Sequence, residues 1–113
     1  MQGSVAQKPK GATIVVTGAG SGIGYAVTRR LLEAGYVISA WDVTEGKLSG
    51  VNDAGLEFHE IDVRDKPAMD QVVTGIETPI AGLVNCAAIY KPVPFLELDE
   101  ASWDAHLNIN LKG

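Results

Sequence analysis

Thr17-Gly18-Ala19-Gly20-Ser21-Gly22-Ile23-Gly24 sets four glycines into eight positions. Glycine lets a backbone turn tightly and approach an anion with no Cβ in the way. The segment follows Ala12–Thr17, a β-branched run without polar alternation that suits a strand buried on both faces. A stretch with helical spacing comes next, so N–H groups and a helix dipole would point at whatever the glycines admit. That is the chemistry of a phosphate site. Two common phosphate-loop patterns fail here. G-x-x-x-x-G-K-[ST] lacks its lysine, and G-x-G-x-x-G from Gly18 and Gly20 would need glycine at position 23, which is Ile23. T-G-x-x-x-G-I-G fits, at Thr17, Gly18, Gly22, Ile23 and Gly24.

Eighteen residues beyond Gly24, Asp42 ends a second apolar run, Tyr36–Trp41. A carboxylate there can accept hydrogen bonds from the ribose hydroxyls of an adenosine and would repel a 2′-phosphate. Neither Ser21 nor Val43 is basic, so NAD is favoured over NADP. The glycines and Asp42 together therefore point to a dinucleotide.

The elements that must position these groups follow from periodicity. Ile23, Val27, Leu31 and Ala34 fall on one helical face, expected to pack inward, with Thr28, Arg29 and Glu33 opposite. Gly35 stands where a helix ends. Three glycines within 43–55 leave room for only a short helix. Leu56–Val63 reads as a third strand, Asp65 and Pro67 open a helix to about Glu77, and Gly82–Val84 starts a fourth strand. A last helix runs from about Asp99 to the end, with Trp103, Leu107 and Leu111 on one face. The alternation of strands and helices is that of an α/β fold with a Rossmann-type, doubly wound parallel sheet. Residues 1–10 read as a flexible tail before a domain at 11–113.

Composition excludes other classes. The 113 residues are 46% hydrophobic and 20% charged, an ordinary globular balance for one domain. Nine basic against fourteen acidic residues give a net charge of −5, with no basic cluster for nucleic acid. No apolar run has a membrane helix's length, and the polar start is no secretory signal. Cys86 alone cannot form an intrachain disulfide, which suits a cytoplasmic setting. His59 and His106 lack ligand spacing, so no metal site is expected.

The chain resembles the short-chain dehydrogenase/reductase family over about residues 11–113. Besides T-G-x-x-x-G-I-G, Asn85-Cys86-Ala87-Ala88 is similar to the family's N-N-A-G, with Cys86 for the second Asn and Ala88 for Gly. Asp62-Val63 matches an adenine-contacting pair, and Ile109-Asn110-Leu111-Lys112-Gly113 matches [VI]-N-[LV]-x-G. The resemblance implies an oxidoreductase interconverting an alcohol and a carbonyl with NAD. Gly18, Ser21, Gly22, Ile23 and Gly24 would hold the pyrophosphate and nicotinamide side, and Asp42, Asp62 and Val63 the adenosine. Asn85 and Ala87 would line the cofactor channel, and Asn110 would be the fourth member of a Ser-Tyr-Lys-Asn set, holding a water. No Tyr-x-x-x-Lys pair is present: Tyr25, Tyr36 and Tyr90 are followed four places on by Arg29, Ala40 and Pro94. Family members are roughly twice this length. The expectation is thus the N-terminal half of a three-layer sandwich, cut before the catalytic segment and inactive alone. The full protein would be a homodimer or homotetramer acting on a small molecule. A chain naturally complete at this length would instead be a non-catalytic nucleotide-binding or regulatory module.

Overall fold

The computed structural model describes residues 12–113; the tail expected at 1–10 lies outside them. Four parallel strands, β1 (Thr13–Thr17), β2 (Val37–Asp42), β3 (Leu56–Glu60) and β4 (Ile80–Asn85), form one sheet in the order β3-β2-β1-β4. The order reverses direction beside β1, which places a crevice at the carboxyl ends of β1 and β4. Helix α1 (Gly22–Glu33) packs on one face with Val16, Ile38, Ala40 and Leu48. Helix α2 (Lys66–Gly75) covers Val15, Trp41 and Ile61 on the other, through Met69 and Val72. The alternation of Val15 and Val16 between the two layers explains why β1 shows no polar alternation.

Local chemistry sets the helix ends. Gly35 takes φ +94°, and the N–H groups of Gly35 and Tyr36 donate to the carbonyls of Leu32 and Leu31. This Schellman closure is the expected role of Gly35. Asp65 caps α2 by accepting from the Ala68 N–H at 3.1 Å, with Pro67 in the first turn. Between β2 and β3 only a short 3₁₀ turn forms, at Gly46–Gly50.

Three expectations change. The fully buried residues of α1 are Gly24, Thr28 and Leu32; Val27 and Leu31 pack against the same core as expected, but Thr28, read as outward, is inside and Ile23 is not. Thr28 is fully buried, its hydroxyl donating to the Gly24 carbonyl at 2.9 Å, whereas Ile23 is 77% exposed. A helix lying this close to the sheet admits small residues at its start, and a hydroxyl that bonds its own helix can be buried there. The third strand stops at Glu60 rather than Val63, because its partner β2 ends at Asp42, opposite Glu60. The last helix, α3 (Glu100–Leu107, capped by Asp99), widens into a π-helical segment at Asn108–Lys112. Trp103, Leu107 and Leu111 are exposed.

Candidate functional site

The β1–α1 loop is built by close backbone approach. Gly18 takes φ +66°, and a Cβ on it would stand 2.7 Å from the Ala87 nitrogen and the Cys86 carbonyl. A Cβ on Gly24 would overlap the Gly18 carbonyl oxygen. The loop is therefore wedged between the end of β4 and the first turn of α1, and any larger residue would push it away. Gly22, at φ +55°, has open space above it. Ser21 precedes the helix without capping it, and the first turn carries no acidic side chain. The leading N–H groups of α1 thus face the groove without a competing carboxylate, which suits an anion.

Thr17 joins this loop to β4. Its hydroxyl oxygen accepts from the N–H groups of Cys86 and Ala87, each at 3.1 Å. No bonding role for this threonine was visible beforehand; its place at the end of β1, immediately before the first glycine, was the only signal.

Asp42 sits across the loop. Its Oδ2 accepts from the Gly20 N–H at 2.9 Å and its Oδ1 from the Val43 N–H at 2.7 Å. The Lys47 N–H donates to the Gly20 carbonyl at 2.8 Å, so both polar groups of Gly20 are tied to the segment after β2. Beyond it, Arg64 grips Asp62: its Nε donates to Oδ1 at 3.0 Å, its terminal nitrogen to Oδ2 at 2.6 Å, and its N–H to Oδ1 at 2.9 Å. The guanidinium and that N–H hold the Asp62 carboxyl below the ordinary carboxylate range, and the pairing raises Arg64. Arg64 was not singled out in the sequence, because a lone arginine two places after an aspartate carries no pattern.

These groups line a groove of about 420 Å³. Gly18, Ser21, Gly22, Ile23, Gly24, Asp42, Asp62, Val63 and Ala87 all border it, as do Arg64 and Cys86. The exposure of Ile23 follows, since its side chain lies over the groove mouth. Two expected residues lie elsewhere. Asn85 pairs with Thr17 in the sheet but opens on an adjoining, mostly apolar cavity of about 770 Å³, with Met69 and Leu83, that shares Trp41, Val63 and Arg64 with the groove. The cause is strand parity: Val84 faces the α1 layer, so Asn85 faces the other. Asn110 is held away from the groove by both ends of its amide, Oδ1 accepting from the Ile89 N–H at 2.8 Å and Nδ2 donating to the Ile89 carbonyl at 2.9 Å. Among the described residues, no group of three or more His, Cys, Asp or Glu side chains could hold a metal.

Comparison with known proteins bears on this geometry. Residues 12–113 match the family described as short chain dehydrogenase. The chain belongs to that family. It is 34% identical over 113 residues to 2,3-dihydro-2,3-dihydroxybenzoate dehydrogenase of Bacillus subtilis (strain 168), covering 92% of this chain and 43% of that protein. Acetoacetyl-CoA reductase of Synechocystis is 37% identical over 101 residues, covering 88% and 41%. Among solved structures, a short chain dehydrogenase from Bacillus anthracis superposes with a TM-score of 0.82 at 25% identity, covering 91% and 45%. A 4-hydroxyisoleucine dehydrogenase mutant complexed with NADH and succinate does so with a TM-score of 0.80 at 27% identity, covering 88% and 43%. This short chain dehydrogenase sequence spans less than half the length of these relatives. No helix among the described residues is long and apolar enough to cross a membrane.

Proposed function

We propose that this chain is the NAD(H)-binding part of an oxidoreductase that interconverts a small-molecule alcohol and a carbonyl. The observation that carries the reading is the Asp42 carboxylate, set beside the glycine loop and 2.9 Å from the Gly20 N–H. A ribose laid along this loop meets an acceptor, and a 2′-phosphate meets a negative charge. The groove's other carboxylate, Asp62, is paired with Arg64, so Asp42 is the uncompensated one. Solved relatives complexed with NADH are consistent with this choice.

A bound nicotinamide dinucleotide would supply or accept the hydride. The chain's own residues bind and orient. The N–H groups leading α1 and the bare backbone at Gly22 would donate to the pyrophosphate, while Asp42 would accept from ribose hydroxyls. Asp62, already gripped by Arg64, would stand with Val63 beside the adenine. Ile23 and Ala87 exclude water from the groove on either side of the loop. Asn110 retains one amide hydrogen and one oxygen lone pair beyond its bonds to Ile89, enough to hold the water assigned to it. The proton of the reaction would pass through a Tyr-x-x-x-Lys segment of the full protein, which we read as a homo-oligomer.

Titration of the chain with NADH and with NADPH tests the cofactor assignment directly. NADH should bind at least ten-fold tighter; tighter NADPH binding overturns the role given to Asp42.

A further inference from the structure

The loop running from Cys86 to Pro94 walls the groove with Cys86, Ala87, Ala88 and Ile89. Its backbone bonds hardly at all to other backbone. Pro92 and Pro94 have no N–H. Between residues 86 and 93, no turn or loop hydrogen bond joins two backbone groups among the described residues. The N–H groups go to side chains instead: those of Cys86 and Ala87 to Thr17, that of Ile89 to Asn110, and that of Lys91 to Nε2 of His106 at 3.3 Å. Residues 90–94 are exposed and water could take their donors, yet three side chains from two other elements receive the N–H groups of this loop.

We propose that His106 is a positioning residue for the cofactor groove, clamping the loop at Lys91 through an Nδ1-protonated, neutral imidazole. The proposal rests on the dinucleotide reading above. The tautomer follows from the partners. Nδ1 lies 2.7 Å from the Ser102 carbonyl, which can only accept, so Nδ1 carries the hydrogen. Nε2 then presents its lone pair, which is what the Lys91 N–H requires. A doubly protonated ring would set donor against donor. His106 and Asn110 stand four residues apart and hold Ile89 and Lys91, two residues apart, so the helix end grips the loop at two successive points. The 3.3 Å bond is long, and its effect lies in completing the grip that Asn110 begins.

The test compares wild type, His106→Leu and His106→Gln in the full chain. Glutamine can still offer an acceptor to Lys91; leucine cannot. Ring ¹⁵N shifts of the wild type should report hydrogen on Nδ1 and a bare Nε2. The Lys91 amide should have an order parameter of about 0.85 in wild type and below about 0.6 in His106→Leu, with glutamine restoring it. Order parameters across β1 should stay unchanged in all three proteins, which establishes that each is folded. NADH should bind His106→Leu about five-fold more weakly, as loss of one hydrogen bond worth about 1 kcal/mol implies, and glutamine should recover the affinity. Hydrogen on Nε2, an unmoved Lys91 in the leucine variant, or undiminished NADH binding by that variant overturns the proposal. A wild type that binds no NADH overturns the dinucleotide reading, while the shifts and order parameters still decide the clamp.

Discussion

Replacing Asp42 separates two functions that one carboxylate performs. In the structure it closes the phosphate loop by accepting from Gly20 and Val43, and it presents negative charge where the adenosine ribose would lie. Hydrogen bonds to charged groups are worth about 1.5–3 kcal/mol each when buried, and Asp42 is partly exposed, so the lower figure applies. Asp42→Ala should therefore lower NADH affinity by about 2 kcal/mol, close to thirty-fold, from the ribose contacts and the loosened loop together. The effect on NADPH has the opposite sign. Two unit charges about 5 Å apart repel by about 3 kcal/mol at an effective dielectric near 20 and by under 1 kcal/mol in water. Removing the carboxylate should thus shift the NADPH-to-NADH preference by about ten- to hundred-fold toward NADPH. Asp42→Asn has one acceptor oxygen, so it can satisfy Gly20 or Val43 but not both, and it should match alanine in selectivity while keeping more stability. Trp41 borders the groove, so quenching of its fluorescence by each nucleotide measures both affinities in one titration. A preference ratio unchanged within two-fold in both variants, alongside a lowered denaturation midpoint, would refute the argument: Asp42 would then be a loop staple and nothing more.

Four further substitutions probe the scaffold. Gly24→Ala drives a methyl into the Gly18 carbonyl and should destabilise the fold by about 2 kcal/mol or more in urea. Gly22→Ala meets open space at φ +55°, so it should lose about 1 kcal/mol from backbone conformation alone. Arg64→Leu removes the partner that lowers Asp62, whose carboxyl should return toward about 3.9 in a ¹³C-detected titration. Because the native value is the depressed one, the pair's contribution to stability is present above that pH. It fades as pH falls through the native value, and the variant's unfolding midpoint should lose this acid dependence. Ile38→Ala empties a fully buried position between α1 and the sheet and should lower stability by about 2–5 kcal/mol by calorimetry.

What could be read from the sequence was what local chemistry requires. A glycine run between a buried strand and a helix has few uses, and Gly18 and Gly24 make the close backbone approaches, and Gly22 the positive φ, that such a tight turn needs. Asp42 could be placed because a strand end has a definite position relative to the preceding turn. The face of α1 could be read only in part. Hydrophobicity alone put Ile23, Val27 and Leu31 inward, and Val27 and Leu31 do pack on the core, yet the helix start lies so close to β1 that only Gly24 fits against the Gly18 carbonyl. Gly24 sets the rotation, and positions four and eight residues on, Thr28 and Leu32, follow it into the core. Ile23 is left over the groove, where an apolar side chain has a use that periodicity does not reveal.

The contacts missed in the sequence have a different cause. Thr17, marked by its motif but given no bonding role, and His106 each act through a bond whose partner is chosen by the fold, Thr17 across 69 and 70 residues and His106 across 15, whereas Arg64 pairs locally with Asp62, two residues back, and only its geometry was hidden. Asn110 illustrates the difference, since its motif marked it while its bond to Ile89, 21 residues away, did not. The loop these side chains hold lacks backbone partners because β4 has ended and two prolines follow, so no ladder or helix can supply them. A sequence that follows a strand with a loop holding two prolines and no backbone partners therefore implies side-chain clamps somewhere else in the chain. Identifying which residues supply them requires knowing how α3 and its π-helical end come back to that loop, which the fold sets and spacing does not.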